Sequence, residues 1–156
     1  MLVYRIAHKK YAQNLEASGM RGRWNSSGNL VIYSAESIAL AFLENMVRRQ
    51  GVGFNQDFKM IIIDIPSKIE ISILDIDMLQ EGWRDFKDYS HCQILGDKWY
   101  QESKTVALKI PSAVLQESYN YMLNTKHKDF KHIKIIAITR LIPDERLEEL
   151  LKKNVK

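Results

Sequence analysis

The chain has 156 residues, a length that favours one domain and leaves little room for two of ordinary size. Hydrophobic residues make up 46% and charged residues 27%, as in an ordinary globular protein, and the single cysteine, Cys92, excludes an internal disulfide or a site of several thiolates. The 23 Lys and Arg against 19 Asp and Glu give a net charge of +4, which is compatible with an anionic small ligand or with nucleic acid.

The first residues give no sign of a secretory signal, because they run straight into a short strand-like segment. No apolar stretch approaches the roughly 20 residues that a membrane span requires. We therefore expect a cytoplasmic protein without membrane contact, in a reducing compartment where a lone thiol is ordinary.

The first third of the chain combines short strands with one strongly patterned helix. Residues 2–6 predict a strand, residues 7–22 a loop or broken helix, and residues 30–33 a second strand. Ser34 is placed to cap a helix that reaches Arg49. The apolar residues of this helix form two adjacent stripes, Ile38, Phe42 and Met46 in one and Ala39, Leu43 and Val47 in the other.

The rest of the chain predicts further strands mixed with helices. The expected strands are residues 60–65, which are apolar enough for burial on both faces, and residues 68–74, 105–110, 118–123 and 133–142. The expected helices are residues 75–82, residues 89–103 with Gly96 as a weak point, and residues 143–153 with Leu147, Leu150 and Leu151 facing the core. Because strict βαβ alternation is absent, we predict an α+β fold over residues 1–156. It is a single compact domain with a central, mostly antiparallel or mixed sheet and flanking helices.

A turn-rich segment, residues 22–29, holds Arg23, Trp24 and Asn25 between glycines. A guanidinium in such a turn can bind a phosphate or carboxylate through two parallel hydrogen bonds, and the indole could stack on a flat ring. The alternative is an exposed arginine beside a buried tryptophan, the usual state of both side chains. Tyr33 ends a strand before a helix N-terminus, a common place for ligand contacts, although a core tyrosine also fits there.

Glu44 interrupts the apolar helix, on a face that it shares with Ser37, Leu40, Ala41 and Arg48. It either forms a solvent-facing pair with Arg48 or points into a cleft, where it could face a cation that develops during a reaction. Ser112 follows a strand, and its hydroxyl either donates to a ligand or caps a turn. It has no GxSxG context, so we do not interpret it as a hydrolase nucleophile.

The histidines show no metal-ligand spacing, so we expect no metal. Cys92 lacks an activating environment, so we expect an inert thiol. The chain also lacks the GxGxxG and GxxxxGK[ST] phosphate loops, which argues against the nucleotide-binding folds that depend on them.

Several stretches, taken in order, form a pattern: Val3-Tyr4-Arg5-Ile6, Gly22-Arg23-Trp24-Asn25, residues 31–37, residues 39–44, Ile110-Pro111-Ser112 and residues 120–130. Together they resemble the RES-domain family, which is named for an Arg, a Glu and a Ser. The resemblance implies that Arg23, Tyr33, Glu44 and Ser112 are the family's Arg, Tyr, Glu and Ser. Glu36 lies in a matching stretch as well, so the choice between the two carboxylates stays open. Further substrate-binding candidates in these stretches are Trp24, Asn25, Glu36 and Asn124.

Members of this family are toxins of bacterial toxin–antitoxin pairs, and they resemble ADP-ribosyltransferases in fold. The resemblance implies that the chain consumes NAD as a substrate, without a cofactor, by cleaving the nicotinamide–ribose bond with water or phosphate as acceptor. Glu44 would stabilise the positive charge on the ribose, Arg23 would pair with the pyrophosphate, Tyr33 would contact the nicotinamide, and Ser112 would bind the carboxamide or ribose.

The resemblance also implies a partner, a small Xre-like antitoxin that covers the active site and through which nucleic acid is contacted only indirectly. The chain could also form homo-oligomers. Two alternatives stay open. One is a mono-ADP-ribosyltransferase that modifies a cellular protein. The other is a non-enzymatic module that binds nucleic acid through the basic residues 126–134.

Overall fold

Strands make up most of the regular structure in the computed structural model, which describes residues 1–49, 57–147 and 149. The strands are β1 (Leu2–His8), β2 (Val31–Ala35), β3 (Phe58–Asp64), β4 (Ile71–Ile73), β5 (Ala107–Pro111), β6 (Tyr119–Asn124) and β7 (Lys134–Arg140). The α-helices are α1 (Ile38–Arg48) and α2 (Ser90–Glu102), and single 3₁₀ turns cover Lys9–Tyr11, Ile76–Met78 and Lys128–His132. The predicted α+β class is confirmed.

All seven strands form one mixed sheet in the order β4-β5-β6-β2-β1-β3-β7. Only β4 and β5 run parallel; the other neighbours are antiparallel. At the centre of the sheet, β1 and β2 share the single residue pair Tyr4↔Ala35, whereas β1 and β3 stay paired from Leu2 to His8. The sheet therefore consists of two well-paired halves that meet at one point.

The residues of β3 explain its prediction as a doubly buried strand. Ile61 and Ile63 belong to the largest apolar cluster, together with Val3, and Met60 packs on the opposite side beneath α1. A further apolar cluster joins the sheet to α2. Among the described residues, none of the helices has the length and apolarity of a membrane span.

Helix α1 begins later than the sequence predicts. The prediction that Ser34 caps it is wrong, because Ser37 is the cap and its Oγ accepts a hydrogen bond from the Leu40 amide at 3.1 Å. Ser34 instead pairs with Tyr121 of β6, and Ala35 follows it in β2. The pairing with β6 thus extends the strand over residues that look like a helix start.

The apolar stripes of α1 also differ from the prediction. The residues that α1 buries are Leu40 and Ala41, on the side of Glu44, whereas Ile38 is 51% and Val47 is 60% exposed. The helix is apolar on more than one side, so its periodicity could not select the buried face. Contacts of Glu44 with the sheet, described below, accompany this orientation.

Three shorter predictions need correction. In the segment 68–74 only Ile71–Ile73 is a strand, because the Ile69 amide closes a turn onto the Pro66 carbonyl, and Ile73 is 63% exposed. The predicted helix 75–82 is a single 3₁₀ turn. The segment after β7 is helical at residues 145–147 and 149, but Leu147 is 40% exposed and does not face the core. Leu150 and Leu151 lie outside the described residues.

Candidate active site

Two side chains from separate segments meet at Glu44. Its Oε1 accepts a hydrogen bond from Ser112 Oγ at 2.7 Å and another from Asn120 Nδ2 at 2.5 Å. Ser112 follows the end of β5, and Asn120 lies in β6 opposite Ile110. We call these three residues the Glu44 cluster. The second carboxylate oxygen of Glu44, Oε2, has no hydrogen bond to any described residue, so it is the atom that can contact a ligand.

Ser112 is fully buried and its hydroxyl is fully used. Besides donating to Glu44, Ser112 Oγ accepts from the amides of Val114 at 3.1 Å and Leu115 at 3.0 Å. It therefore caps the turn that begins the Ser112 loop (residues 113–118) and holds Glu44 at the same time. With its proton and lone pairs engaged, the hydroxyl acts as a fixed hydrogen-bonding group.

The turn at residues 22–29, which we call the arginine turn, is occupied by its own contacts. Trp24 is 3% exposed, and its ring centroid lies 5.7 Å from that of Trp83. Asn25 is completely buried, and its Nδ2 donates to the carbonyls of Met20 at 2.9 Å and Ser26 at 3.0 Å. The structure thus places both predicted substrate-binding residues inside the fold.

Tyr33 connects this turn to β2. Its hydroxyl donates to Asn25 Oδ1 at 2.7 Å and accepts from the Trp24 amide at 3.3 Å. Burial raises the pKa of Tyr33 well above its usual range, so the phenol stays protonated. The hydroxyl is therefore used within the fold, and the ring packs against the apolar cluster that joins the sheet to α2.

One face of α2 fixes the arginine turn from outside. Gln93 Nε2 donates to the Gly22 carbonyl at 2.8 Å, and Asp97 Oδ1 accepts from the Ser26 amide at 2.9 Å. Between them, a Cβ on Gly96 would lie 1.8 Å from the Trp24 carbonyl oxygen. Gly96 is the residue that the sequence predicts as the weak point of this helix. The helix continues through it, and the missing side chain lets the turn approach the helix backbone.

The Arg23 guanidinium binds backbone carbonyls of the segment 83–85, which we call the 83–85 loop. Nη1 donates to the Trp83 carbonyl at 2.6 Å and the Asp85 carbonyl at 3.0 Å, and Nη2 donates to the Arg84 carbonyl at 3.1 Å. The guanidinium also lies 4.4 Å from the ring centroid of Tyr89. Arg23 thus joins two segments that are distant in sequence.

The other two predicted residues contact backbone rather than the Glu44 cluster. Glu36 Oε1 accepts from the Tyr119 amide at 2.9 Å, which extends the pairing of β2 with β6. Asn124 is buried, and its Oδ1 accepts from the Lys126 amide at 2.9 Å. Of the two candidate carboxylates, it is therefore Glu44 that the structure brings together with Ser112.

Sequence reasoning missed the roles of Asn120 and Arg5, and it considered Arg48 only as a possible ion-pair partner of Glu44. Burial and the positive charge of Arg48 lower the pKa of Arg5 below its usual range. Arg48 lies one helical turn beyond Glu44, and neither arginine forms an ion pair within residues 1–49 and 57–147. Their positive charges would suit an anionic ligand. A lone arginine in a strand carries no local signal of this kind.

Neither the Cys92 thiol nor a group of metal-ligating side chains forms a second reactive centre among the described residues. Burial raises the pKa of the Cys92 thiol, which donates to the Trp83 carbonyl at 3.6 Å, so the thiolate is disfavoured. In the part of the chain that the structure describes, no cluster of three or more His, Cys, Asp or Glu side chains could hold a metal ion.

Comparisons with known proteins agree with the geometry. The family model described as RES domain matches residues 2–147. The chain is 34% identical over 145 residues to "Toxin Res" of Photorhabdus laumondii subsp. laumondii, covering 90% of this chain and 92% of that protein. It is 30% identical over 142 residues to "Prs ADP-ribosylating toxin" of a Sphingobium species, covering 87% and 88%.

A solved structure shares the fold. It is a chain of the M. tuberculosis MbcT–MbcA toxin–antitoxin complex, with a TM-score of 0.74 and 18% sequence identity. The match covers 98% of this chain and 89% of that chain.

Proposed function

The chain belongs to the RES domain family, and on that basis we propose that it is a bacterial toxin that destroys NAD in the cytoplasm and so arrests growth. The proposed reaction breaks the bond between nicotinamide and ribose. With water as acceptor, NAD⁺ and H₂O give ADP-ribose, nicotinamide and a proton. With phosphate, the ribose carbon bonds to a phosphate oxygen instead.

The observation that carries the proposal is that only one carboxylate oxygen of Glu44 is hydrogen-bonded to the described residues. Ser112 and Asn120 hold Oε1, and Oε2 is left for a ligand. Cleavage of a glycosidic bond develops positive charge on the sugar ring, and a fixed carboxylate stabilises that charge. Because nicotinamide leaves as a neutral molecule, no second carboxylic acid is required to protonate it.

Arginines on β1 and α1 support a dinucleotide as the substrate. Arg48 lies one helical turn after Glu44, and neither Arg48 nor Arg5 forms an ion pair within residues 1–49 and 57–147, so we propose that their charges meet the diphosphate, the most negative part of NAD. The ring of Tyr33 would border the nicotinamide. Arg23 spends three hydrogen bonds on the 83–85 loop, and its remaining N–H groups could still reach the diphosphate.

A second candidate reaction is the transfer of ADP-ribose to a protein. It is favoured by the relative from Sphingobium, which is named an ADP-ribosylating toxin. Both reactions use the same carboxylate, so incubation of NAD labelled in its adenylate half with cell extract separates them. A labelled protein band supports transfer, whereas label confined to ADP-ribose or its phosphate supports cleavage.

We also propose that a small Xre-like antitoxin covers the site and holds the toxin silent, with DNA contacted only through the antitoxin. The fold match to a chain from a toxin–antitoxin complex supports a protein partner. Co-expression with an Xre-like antitoxin should restore growth and suppress nicotinamide release.

The decisive experiment measures nicotinamide released from NAD by the purified protein. Glu44→Gln should lower kcat by about 10²–10³-fold, because the amide keeps the shape but loses the charge. Glu36→Gln is the matched control. Its amide oxygen can still accept from the Tyr119 amide, so turnover should stay within about twofold. Absence of nicotinamide release by the wild type, or loss of activity in Glu36→Gln alone, would contradict the proposal.

A further inference from the structure

The arginine turn and the 83–85 loop are fastened to each other at two points. Arg23 donates to the carbonyls of Trp83, Arg84 and Asp85, and the rings of Trp24 and Trp83 are in contact. The backbone of Arg84 is therefore fixed although its side chain is exposed. A fixed backbone lets a long side chain reach a defined place at low entropic cost.

The side chain of Arg84 reaches the Ser112 loop. Nε donates to the Ala113 carbonyl at 2.9 Å, and Nη1 donates to Gln116 Oε1 at 3.4 Å. Ala113 is the residue after Ser112. Among the hydrogen bonds of the described residues, those of Arg84 alone connect residues 113–117 to a distant segment.

We propose that Arg84 is a positioning residue that holds the Ser112 loop, so that Ser112 keeps Glu44 Oε1 in place. The route runs from Arg23 through the Arg84 carbonyl, along the Arg84 side chain to Ala113, and from Ser112 to Glu44. Arg84 touches neither Glu44 nor Asn120. Its effect on turnover rests on the proposed function, but its effect on the loop does not.

The geometry of the Ser112 loop makes the effect specific. While the amides of Val114 and Leu115 donate to Ser112 Oγ, the hydroxyl proton is directed to Glu44 Oε1. If the Ala113 carbonyl is released, residues 114 and 115 lose their fixed distance to Ser112 Oγ. The hydroxyl then gains freedom to rotate away from Glu44, and small displacements of a reacting group cost up to about 10²-fold in rate.

Amide hydrogen exchange tests the structural part without any assay of activity. In Arg84→Met, which keeps the side-chain length but removes the donors, exchange at Val114 and Leu115 should accelerate about tenfold. Exchange at Met122 in β6 should not change. Arg84→Lys, which retains one donor for the Ala113 carbonyl, should restore most of the protection. Arg21→Met is the control for the loss of an exposed arginine. Unchanged exchange at Val114 and Leu115 would overturn the proposal.

Steady-state kinetics tests the functional part. Arg84→Met should lower kcat about tenfold while the KM for NAD stays within about twofold, since no substrate contact is removed. In a Ser112→Ala background the same substitution should change kcat by less than about twofold, because the hydroxyl through which Arg84 acts on Glu44 is already absent. An equal factor in both backgrounds, or a change confined to KM, would overturn positioning through Ser112. Failure of the wild type to release nicotinamide contradicts the proposed function and leaves the exchange result to decide on Arg84.

Discussion

The Glu44 cluster and the arginine turn are both polar regions rich in residues that bind ligands, but they use their polar groups differently. In the arginine turn, the side-chain amide of Asn25 forms its hydrogen bonds inside the protein, including one with the Tyr33 hydroxyl of β2, and Arg23 donates to three backbone carbonyls. At Glu44, one oxygen is held and the other is left open. The turn therefore serves mainly to build the protein, whereas the cluster keeps a charge available for chemistry.

Among the substitutions that test this comparison, Gly96→Ala should have the largest effect on stability. The new methyl would overlap the Trp24 carbonyl, which cannot move without breaking the contacts of α2 with the arginine turn. We expect a loss of about 3 kcal/mol in the free energy of unfolding, measured by urea denaturation. Gly82→Ala is the control. It meets open space at a positive φ and should cost about 1 kcal/mol. Equal losses of unfolding free energy in the two variants would mean that the arginine turn moves away from α2 and that its close approach does not contribute to stability.

The next effect separates two asparagines. Asn25→Ala leaves buried partners unsatisfied and should cost about 2 kcal/mol of stability. Asn120→Ala removes a donor from Glu44 in a half-buried place and should cost less stability but about tenfold in kcat. Denaturation and nicotinamide release are measured on both proteins. If Asn25→Ala lowers kcat of the folded fraction more than Asn120→Ala, our division of the two regions is wrong.

The smallest effect concerns the hydroxyl of Tyr33. Tyr33→Phe keeps the ring but removes the bonds to Asn25 and Trp24, at a cost of about 1 kcal/mol at pH 7.

The same substitution should change the alkaline limb of stability. Folding raises the pKa of Tyr33, so its contribution is complete below the unfolded pKa of about 10 and is lost as pH rises beyond it. The drop in stability between pH 9 and about pH 11 should therefore be smaller in Tyr33→Phe than in the wild type. The exposed Tyr11 provides the control, because Tyr11→Phe should leave the alkaline limb unchanged. An identical drop in all three proteins would show that Tyr33 ionises freely.

Much of the fold could be predicted because its signals are local. The apolar run of β3 reveals a strand whatever its neighbours are, and the predicted span of α2, residues 89–103, lies within one residue of the observed bounds. The cap and buried face of α1 could not be predicted, because pairing of Ser34 and Ala35 with β6 decides them.

The site shows the same limit. Resemblance to a family predicted Glu44 and Ser112, and the structure places them in contact. The contacts of Arg23 could not be predicted, because its partners lie about 60 residues away and are backbone carbonyls, which leave no mark in the sequence. Arg5 and Asn120 were missed for a related reason. Each gains its meaning from a neighbour on another segment.

The spacing of the contacts has a consequence for synthesis on the ribosome. Ser26 and Asp97 are 71 residues apart, and Glu44 lies 68 residues from Ser112 and 76 from Asn120. A nascent chain in which α1 has just left the ribosome contains Glu44 but neither Ser112 nor Asn120, which hold its carboxylate in place. Translation must pass β6 before the Glu44 cluster can be assembled, so a chain that ends before Asn120 contains Glu44 without its complete set of hydrogen-bond donors.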